Sequence, residues 1–219
     1  MFVEFSLLKN LAPQDARAFV ARLTRITAKA GTVLTHRGER PDYLYFVFKG
    51  KLTAHIASRQ GREIILDRLE QGDVFGELSV LDGGSRVRSV RCETSCDLGR
   101  IPTEEFDRWL RAHPVAMRDV TIALAGRMRD LSDRLFEFAF HDVETRLRHF
   151  LVRCLIQQGS LHNGAVLDPA PSHLTIANCI GANREAVSRA LSRLSKAGVL
   201  TTGRQRIEVL DVHLLESGL

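Results

Sequence analysis

The chain has 219 residues, 24.5 kDa, with 44% apolar and 26% charged residues, enough for two modest domains that each bury a core. Its net charge is +5, and the N-terminus MFVEFSLLKN lacks the basic stretch and long apolar run of a secretory signal. No window is apolar and long enough to span a bilayer, so the composition argues against a membrane protein and predicts a cytoplasmic one. Cys92, Cys96, Cys154 and Cys179 are scattered without a CxxC and are expected to be free thiols.

Residues 1 to about 23 carry a helical pattern, with Leu7, Leu8 and Leu11 leading to Pro13 at a helix start. From Arg25 to Ile101 short β-rich runs alternate with glycines, among them Gly31, Gly38, Gly50, Gly61 and Gly72. Short strands at near-regular spacing predict an antiparallel sandwich or jelly roll. Gly38 and Gly50 stand where the chain must often take a positive φ. Within this region lies FGELSVLDGGSRVRSV, Phe75 to Val90. A glycine-rich turn, a carboxylate and an arginine are the parts needed to hold a cyclic phosphate diester. Backbone N–H groups and Arg86 face the phosphate oxygens, and Glu77 accepts from a ribose hydroxyl.

Thr103 is the expected N-cap of a short helix, TEEFDRWLRAH. Pro114 restarts the chain into a long helix to Phe140. Met117, Thr121, Leu124, Met128, Leu131, Leu135 and Phe138 step through it at alternating spacings of four and three. That is a coiled-coil seam, and it predicts pairing with a second copy of the chain. A helix packed on its own chain is the alternative. The predicted layout is α+β: a β-roll domain over 1–113, a dimerisation helix over 114–140 and a winged helix-turn-helix over 141–219.

Asp142 is the expected cap of the next helix, VETRLRHFLVRCLIQQG, which places a hinge at Phe140 to Val143. Residues 160–171 read as a loop. Two short helices follow, separated by Gly181-Ala182-Asn183, and VLTTGRQRIEVL reads as two strands with a tight turn at Gly203. Asn183 caps the second helix, and Val187, Ala190, Leu191 and Leu194 form its buried stripe. Arg184, Glu185, Ser188, Arg189 and Ser192 share the other face. Six basic residues against one acid between Arg184 and Arg206 give this segment a surplus equal to that of the whole chain. Arginine suits guanine O6 and N7 and glutamate suits cytosine N4, so the face fits the major groove.

Gly181-Ala182-Asn183-Arg184-Glu185-Ala186-Val187-Ser188-Arg189 resembles the recognition-helix pattern of the cyclic-AMP receptor and fumarate-nitrate regulator superfamily of bacterial transcription factors. Phe75 to Val90 resembles the phosphate-binding cassette of cyclic-nucleotide-binding domains, F-G-E-L/I-A-L-x-x-G-x-x-R-A/S-A, and AFHDVETRL resembles the family's hinge. The resemblance implies that Arg184, Glu185 and Arg189 contact base edges in each half of a palindrome, with TGTGA-like or TTGA-like half-sites. Ser188 matches the second branch of the family and Arg184 the first. Ser172 and Asn183 are implied phosphate contacts. Gly76, Glu77, Leu78 and Ser79 are implied to supply turn and ribose contacts, and Arg86 to hold the phosphate. Val87 and Arg88 depart from the cassette, and Val87 offers only its backbone N–H. By the same alignment Leu131 and Ser132 stand where the family has a Thr-Ser pair that touches the adenine. Ser132 is retained, while Leu131 lacks the threonine hydroxyl. The implied effector is cyclic AMP first and cyclic GMP second; the implied partners are double-stranded DNA, a second copy of the chain and RNA polymerase.

Relatives that sense through haem or an iron–sulfur cluster, or that act without a small-molecule effector, are the alternatives within the family. No cysteine precedes Cys92, and Gly76, Glu77 and Arg86 are all present. A cupin-type metal enzyme is the distant alternative, but the eight histidines include no HxH pair. Neither a metal nor an enzymatic activity is expected.

Overall fold

A computed structural model describes residues 3–217. The chain divides into two compact units between Asp130 and Leu131, inside the long helix rather than at its ends. No helix among the described residues is long and apolar enough to cross a membrane.

The first unit opens with α1 (Pro13–Val20), where Pro13 takes the first helical position and its missing N–H costs nothing. Then come β1 (Thr24–Ala28), β2 (Val33–Thr35), β3 (Tyr43–Lys49), β4 (Leu52–Ala57), β5 (Glu63–Leu69), β6 (Val74–Phe75), β7 (Ser89–Cys92) and β8 (Cys96–Pro102). They form two antiparallel sheets in the orders β1-β8-β3-β6 and β2-β7-β4-β5. The strand β3, YLYFVFK, is apolar on both faces because it separates two cores. Leu44 and Phe46 pack with Phe5, Phe19, Phe106 and Trp109, whereas Tyr45 and Val47 pack with Leu52, Phe75 and Leu98 between the sheets. The first core is aromatic, with the Phe19 and Trp109 rings 4.1 Å apart and Phe5 edge-on to Phe46 at 5.1 Å. None of the four cysteines forms a disulfide, and burial pushes the Cys92 thiol up to about 12.

Two further helices of this unit, α2 (Leu78–Asp82) and α3 (Thr103–Ala112), flank the β7–β8 pair in sequence. Thr103 does not cap α3. Pro102 occupies the cap, and the Thr103 hydroxyl donates to the Pro41 carbonyl at 3.2 Å. The long helix α4 (Pro114–Phe140) is continuous over 27 residues, roughly 40 Å. Its first turns bury Ala116 and Val120 in the aromatic core, and buried Asp119 accepts from Asn10 Nδ2 at 2.6 Å. Met117 and Leu124, expected in a seam between subunits, pack on this same core, because the start of α4 closes it. Further along, Met128, Leu131 and Leu135 are 67%, 49% and 69% exposed, and Ile122, Phe136 and Phe140 widen the apolar stripe.

The second unit contains α5 (Val143–Gln157), β9 (Val166–Leu167), α6 (His173–Ile180), α7 (Arg184–Lys196), β10 (Leu200–Gly203), β11 (Arg206–Val209) and α8 (Val212–Glu216). Leu147 and Leu151 of α5, Ile176 of α6 and Val187, Leu191 and Leu194 of α7 meet in one core. The stretch read as a loop contributes β9, which pairs Leu167 with Ile207 and makes the wing three-stranded. The wing's turn lies at Arg204-Gln205, with Gln205 at φ 53°, while Gly203 belongs to β10 opposite Arg206. Phe138, the last seam residue, packs on the glycine of the helix-turn-helix. A Cβ at Gly181 would stand 2.4 Å from its ring, and the Arg146 guanidinium lies 5.2 Å from the ring centre.

Asp142 caps α5, accepting from Thr145 N–H at 2.8 Å. That bond holds the Asp142 carboxyl below the usual carboxylate range. A depressed folded-state pKa gives stability that is present above the unfolded value, about 3.9, and is lost as pH falls through the folded one. Asp142→Ala should therefore destabilise the second unit by about 1 kcal/mol at pH 7. Urea unfolding followed by circular dichroism should show the gap between the two proteins shrinking as pH falls below about 3.9; an undiminished gap in acid would place the effect elsewhere.

Candidate functional site

Two sites stand out, a cleft in the first unit and the exposed face of α7 in the second. The cleft begins where the chain leaves β6, which is held beside β3 through the Tyr45–Phe75 pair. Gly76 there has φ 98°, a conformation that favours glycine, and a Cβ would lie 2.5 Å from Arg86 Nη1. Glu77 precedes α2, and Gly83 ends that helix at φ 68°, so the chain doubles back toward Arg86. The Arg86 N–H donates to the Glu39 carbonyl at 2.9 Å, and its own carbonyl accepts from Gly38 N–H at 2.7 Å.

Arg86 itself turns inward and is only 6% exposed. Its guanidinium donates to the Gly76 carbonyl at 3.1 Å and to the Tyr43 carbonyl. It makes no ion pair among the described residues. Burial lowers its pKa, while Tyr45, Asp42 and Glu77 pull the other way. The Glu77 carboxylate is buried, and one of its oxygens accepts from Arg127 on α4. Arg127 also donates to the Val74 carbonyl at 3.1 Å. The other Glu77 oxygen, Oε2, is buried without a partner. Sequence reasoning does not reach Arg127, which belongs to no motif; the only signal is a charge beside the apolar Met128.

The remaining cassette candidates line the same cleft. Leu78 and Ser79 form the first turn of α2, whose N–H groups have no intrahelical acceptor. Ser79 Oγ lies 3.5 Å from the Ser85 carbonyl. Val87 is 50% exposed. Arg88 turns back inward and faces Asp67 of β5, Nη1 to Oδ2 at 3.5 Å. Leu131 and Ser132 occupy exposed positions on α4 past the division between the units. The cleft fits a small anionic sugar phosphate. It offers a buried guanidinium without a carboxylate, an unpartnered carboxylate oxygen for a hydroxyl donor, and free N–H groups at a helix start.

In the second unit Ser172 caps α6, accepting from Thr175 N–H at 3.1 Å, and Asn183 caps α7, accepting from Ala186 N–H at 2.7 Å. Both stand at helix N-termini, where backbone N–H groups favour an anion such as phosphate. Val187, Ala190, Leu191 and Leu194 are buried, while Arg184, Glu185, Arg189 and Ser192 are exposed. Arg193 is tied to Glu144 at 2.7 Å, but Arg184, Glu185 and Arg189 make no ion pair among the described residues. Ser188 is half-buried, with Oγ 2.8 Å from His173 Nδ1, a partner that no motif signals.

Comparison with known proteins finds a match in each unit. Residues 25–113 match the family model of the cyclic nucleotide-binding domain, and residues 145–217 that of the Crp-like helix-turn-helix domain. The cAMP-activated global transcriptional regulator CRP of Escherichia coli is 27% identical over 179 residues, covering 81% of this chain and 85% of that one. The cyclic AMP receptor protein of Thermus thermophilus is 29% identical over 212 residues, covering 96% and 94%. The structure of the c-di-GMP responsive global regulator CLP of Xanthomonas campestris superposes with a TM-score of 0.81 at 21% identity, covering 91% of this chain and 100% of that one, a likeness of fold. With a nucleotide-binding β domain, a long helix and a Crp-like helix-turn-helix in this order, the chain belongs to the CRP/FNR superfamily and is a transcription regulator rather than an enzyme.

Proposed function

We propose that the protein is a homodimeric regulator in which a cyclic nucleotide bound in the first unit controls binding of α7 to a palindromic DNA site. The observation that carries the ligand half is Arg86, a buried guanidinium that makes no ion pair among the described residues. A phosphodiester oxygen is a stronger acceptor for it than the neutral carbonyls of Gly76 and Tyr43, because that hydrogen bond is charge-assisted. A ribose hydroxyl satisfies Glu77 Oε2. The opposite oxygen of Glu77 already holds Arg127, so ligand binding bears directly on α4. The ligand then shifts a pre-existing equilibrium in proportion to its preference for one state.

The names of the curated relatives make cyclic AMP the first effector to test and cyclic GMP the second. Dimerisation through α4 is supported by the exposed stripe of Met128, Leu131 and Leu135, since large exposed apolar patches mark interaction surfaces. Leu131 gives such a dimer apolar area and no hydrogen bond. On the DNA side, Arg184, Glu185 and Arg189 read base edges, Ser188 lies beside them, and Ser172 and Asn183 hold phosphates. Contact with RNA polymerase and a cytoplasmic location belong to the same reading.

Calorimetric titration with cyclic AMP and cyclic GMP, followed by DNA binding in the presence of each, tests the reading. Heat from at least one nucleotide and a changed DNA affinity are expected; no heat from either and an unchanged affinity would refute it. Arg86→Ala should weaken nucleotide binding by roughly a hundredfold, the loss of charged hydrogen bonds. Arg189→Ala should cost about 1–3 kcal/mol on the specific site and relax one base position. Equal loss on specific and random DNA would instead make Arg189 a phosphate contact.

A further inference from the structure

The cleft holds a second guanidinium besides Arg86. Arg88 lines it together with Gly76, Glu77 and Arg86, and its side chain is 15% exposed. Val87 between them is 50% exposed, whereas Arg86 and Arg88 both line the cleft. The one hydrogen bond that Arg88 makes among the described residues runs to Asp67 Oδ2 at 3.5 Å. The rest of its five N–H donors have no protein acceptor there. None of its nitrogens is among the sealed polar atoms that lack a partner, so these donors keep access to solvent in a residue that lines the cleft.

Charge says what the pair is for. Asp67 cancels Arg88, so together they add hydrogen-bonding capacity without net charge, which suits a neutral polar group rather than a second phosphate at this point. In a nucleotide whose phosphate meets Arg86 and whose ribose meets Glu77, that group is the base. Of the pair, Arg88 belongs to the wall of the cleft and Asp67 does not. The ligand therefore meets a fork of donors. Guanine presents two acceptors to such a fork, O6 and N7, whereas adenine sets its N6 amino donor against it. We infer that Arg88, backed by Asp67, reads the base and selects a guanine phosphodiester over an adenine one. This rests on the cyclic-nucleotide reading of the cleft, and it reverses the order that the relatives' names suggest.

Calorimetry on the full-length protein with cyclic GMP, cyclic AMP and cyclic di-GMP tests the inference, in the wild type and in Arg88→Ala and Arg88→Lys. The wild type should bind a guanine ligand about tenfold or more tightly than cyclic AMP. The tighter of cyclic GMP and cyclic di-GMP then identifies the source of the guanine. Both variants should bring that ratio close to one, the lysine because it keeps the charge without the fork. A wild type that prefers cyclic AMP, or a ratio unchanged in both variants, overturns the role of Arg88 and leaves the nucleotide site standing. Silence from all three ligands overturns the nucleotide reading and this inference with it.

Discussion

Arg86 is a buried cation whose acceptors are the neutral carbonyls of Gly76 and Tyr43. Carbonyl dipoles compensate a buried charge only in part, so the arrangement is one that an anion improves. Much of the first unit serves to present it. The pairing of β3 with β6 brings the Tyr43 and Gly76 carbonyls to the same end of one sheet. Gly76 lets the backbone pass so close to the guanidinium that a Cβ there would stand 2.5 Å from Arg86 Nη1, and Gly83 turns the chain back after α2. The hydrogen bonds to Gly38 and Glu39 then fix the Arg86 backbone, so only its side chain is left to respond.

The contact between Glu77 and Arg127 joins the cleft to α4. Arg127 stands on α4, whose beginning is fixed by the aromatic core and by Asp119 with Asn10. The far end of the same helix is held within the second unit by Phe138 on Gly181 and by Glu137 with Arg153. Each end of α4 is thus bound to the unit it belongs to. Between them lies the stretch from Met128 to Leu135, with its apolar side chains exposed.

Positions where the chemistry admits few residue types were legible in the sequence. Gly38 and Gly50 have to reach a positive φ, Asn183 and Asp142 have to accept a helix N–H, and Val187, Ala190, Leu191 and Leu194 share one stripe; the structure has each of them in that role. What stayed hidden depends on partners far away in the chain. The heptad pattern marked Met117, Leu124 and Phe138 as apolar but not what they would meet, and the first two meet their own core. The strand β3 showed no alternation because both of its faces are buried. The wing's turn was misplaced because Gln205 takes the left-handed conformation that glycine usually supplies. Arg127 was invisible because its role comes from a carboxylate 50 residues away.

The charges of the cleft also limit what it accepts. Glu77 with Arg127 and Asp67 with Arg88 cancel in pairs, which leaves Arg86 as the cation without a carboxylate of its own. One uncompensated charge matches one phosphodiester. A ligand bringing a second phosphate into the same space would have to pull Arg88 from Asp67 or Arg127 from Glu77, unless that phosphate stays outside the cleft. The second exchange would disconnect α4 from Glu77, the carboxylate proposed above to accept from the sugar. On the reading proposed above, charge selection and signal transmission draw on the same ion pair, so a ligand that broke it to gain affinity would lose its hold on the helix.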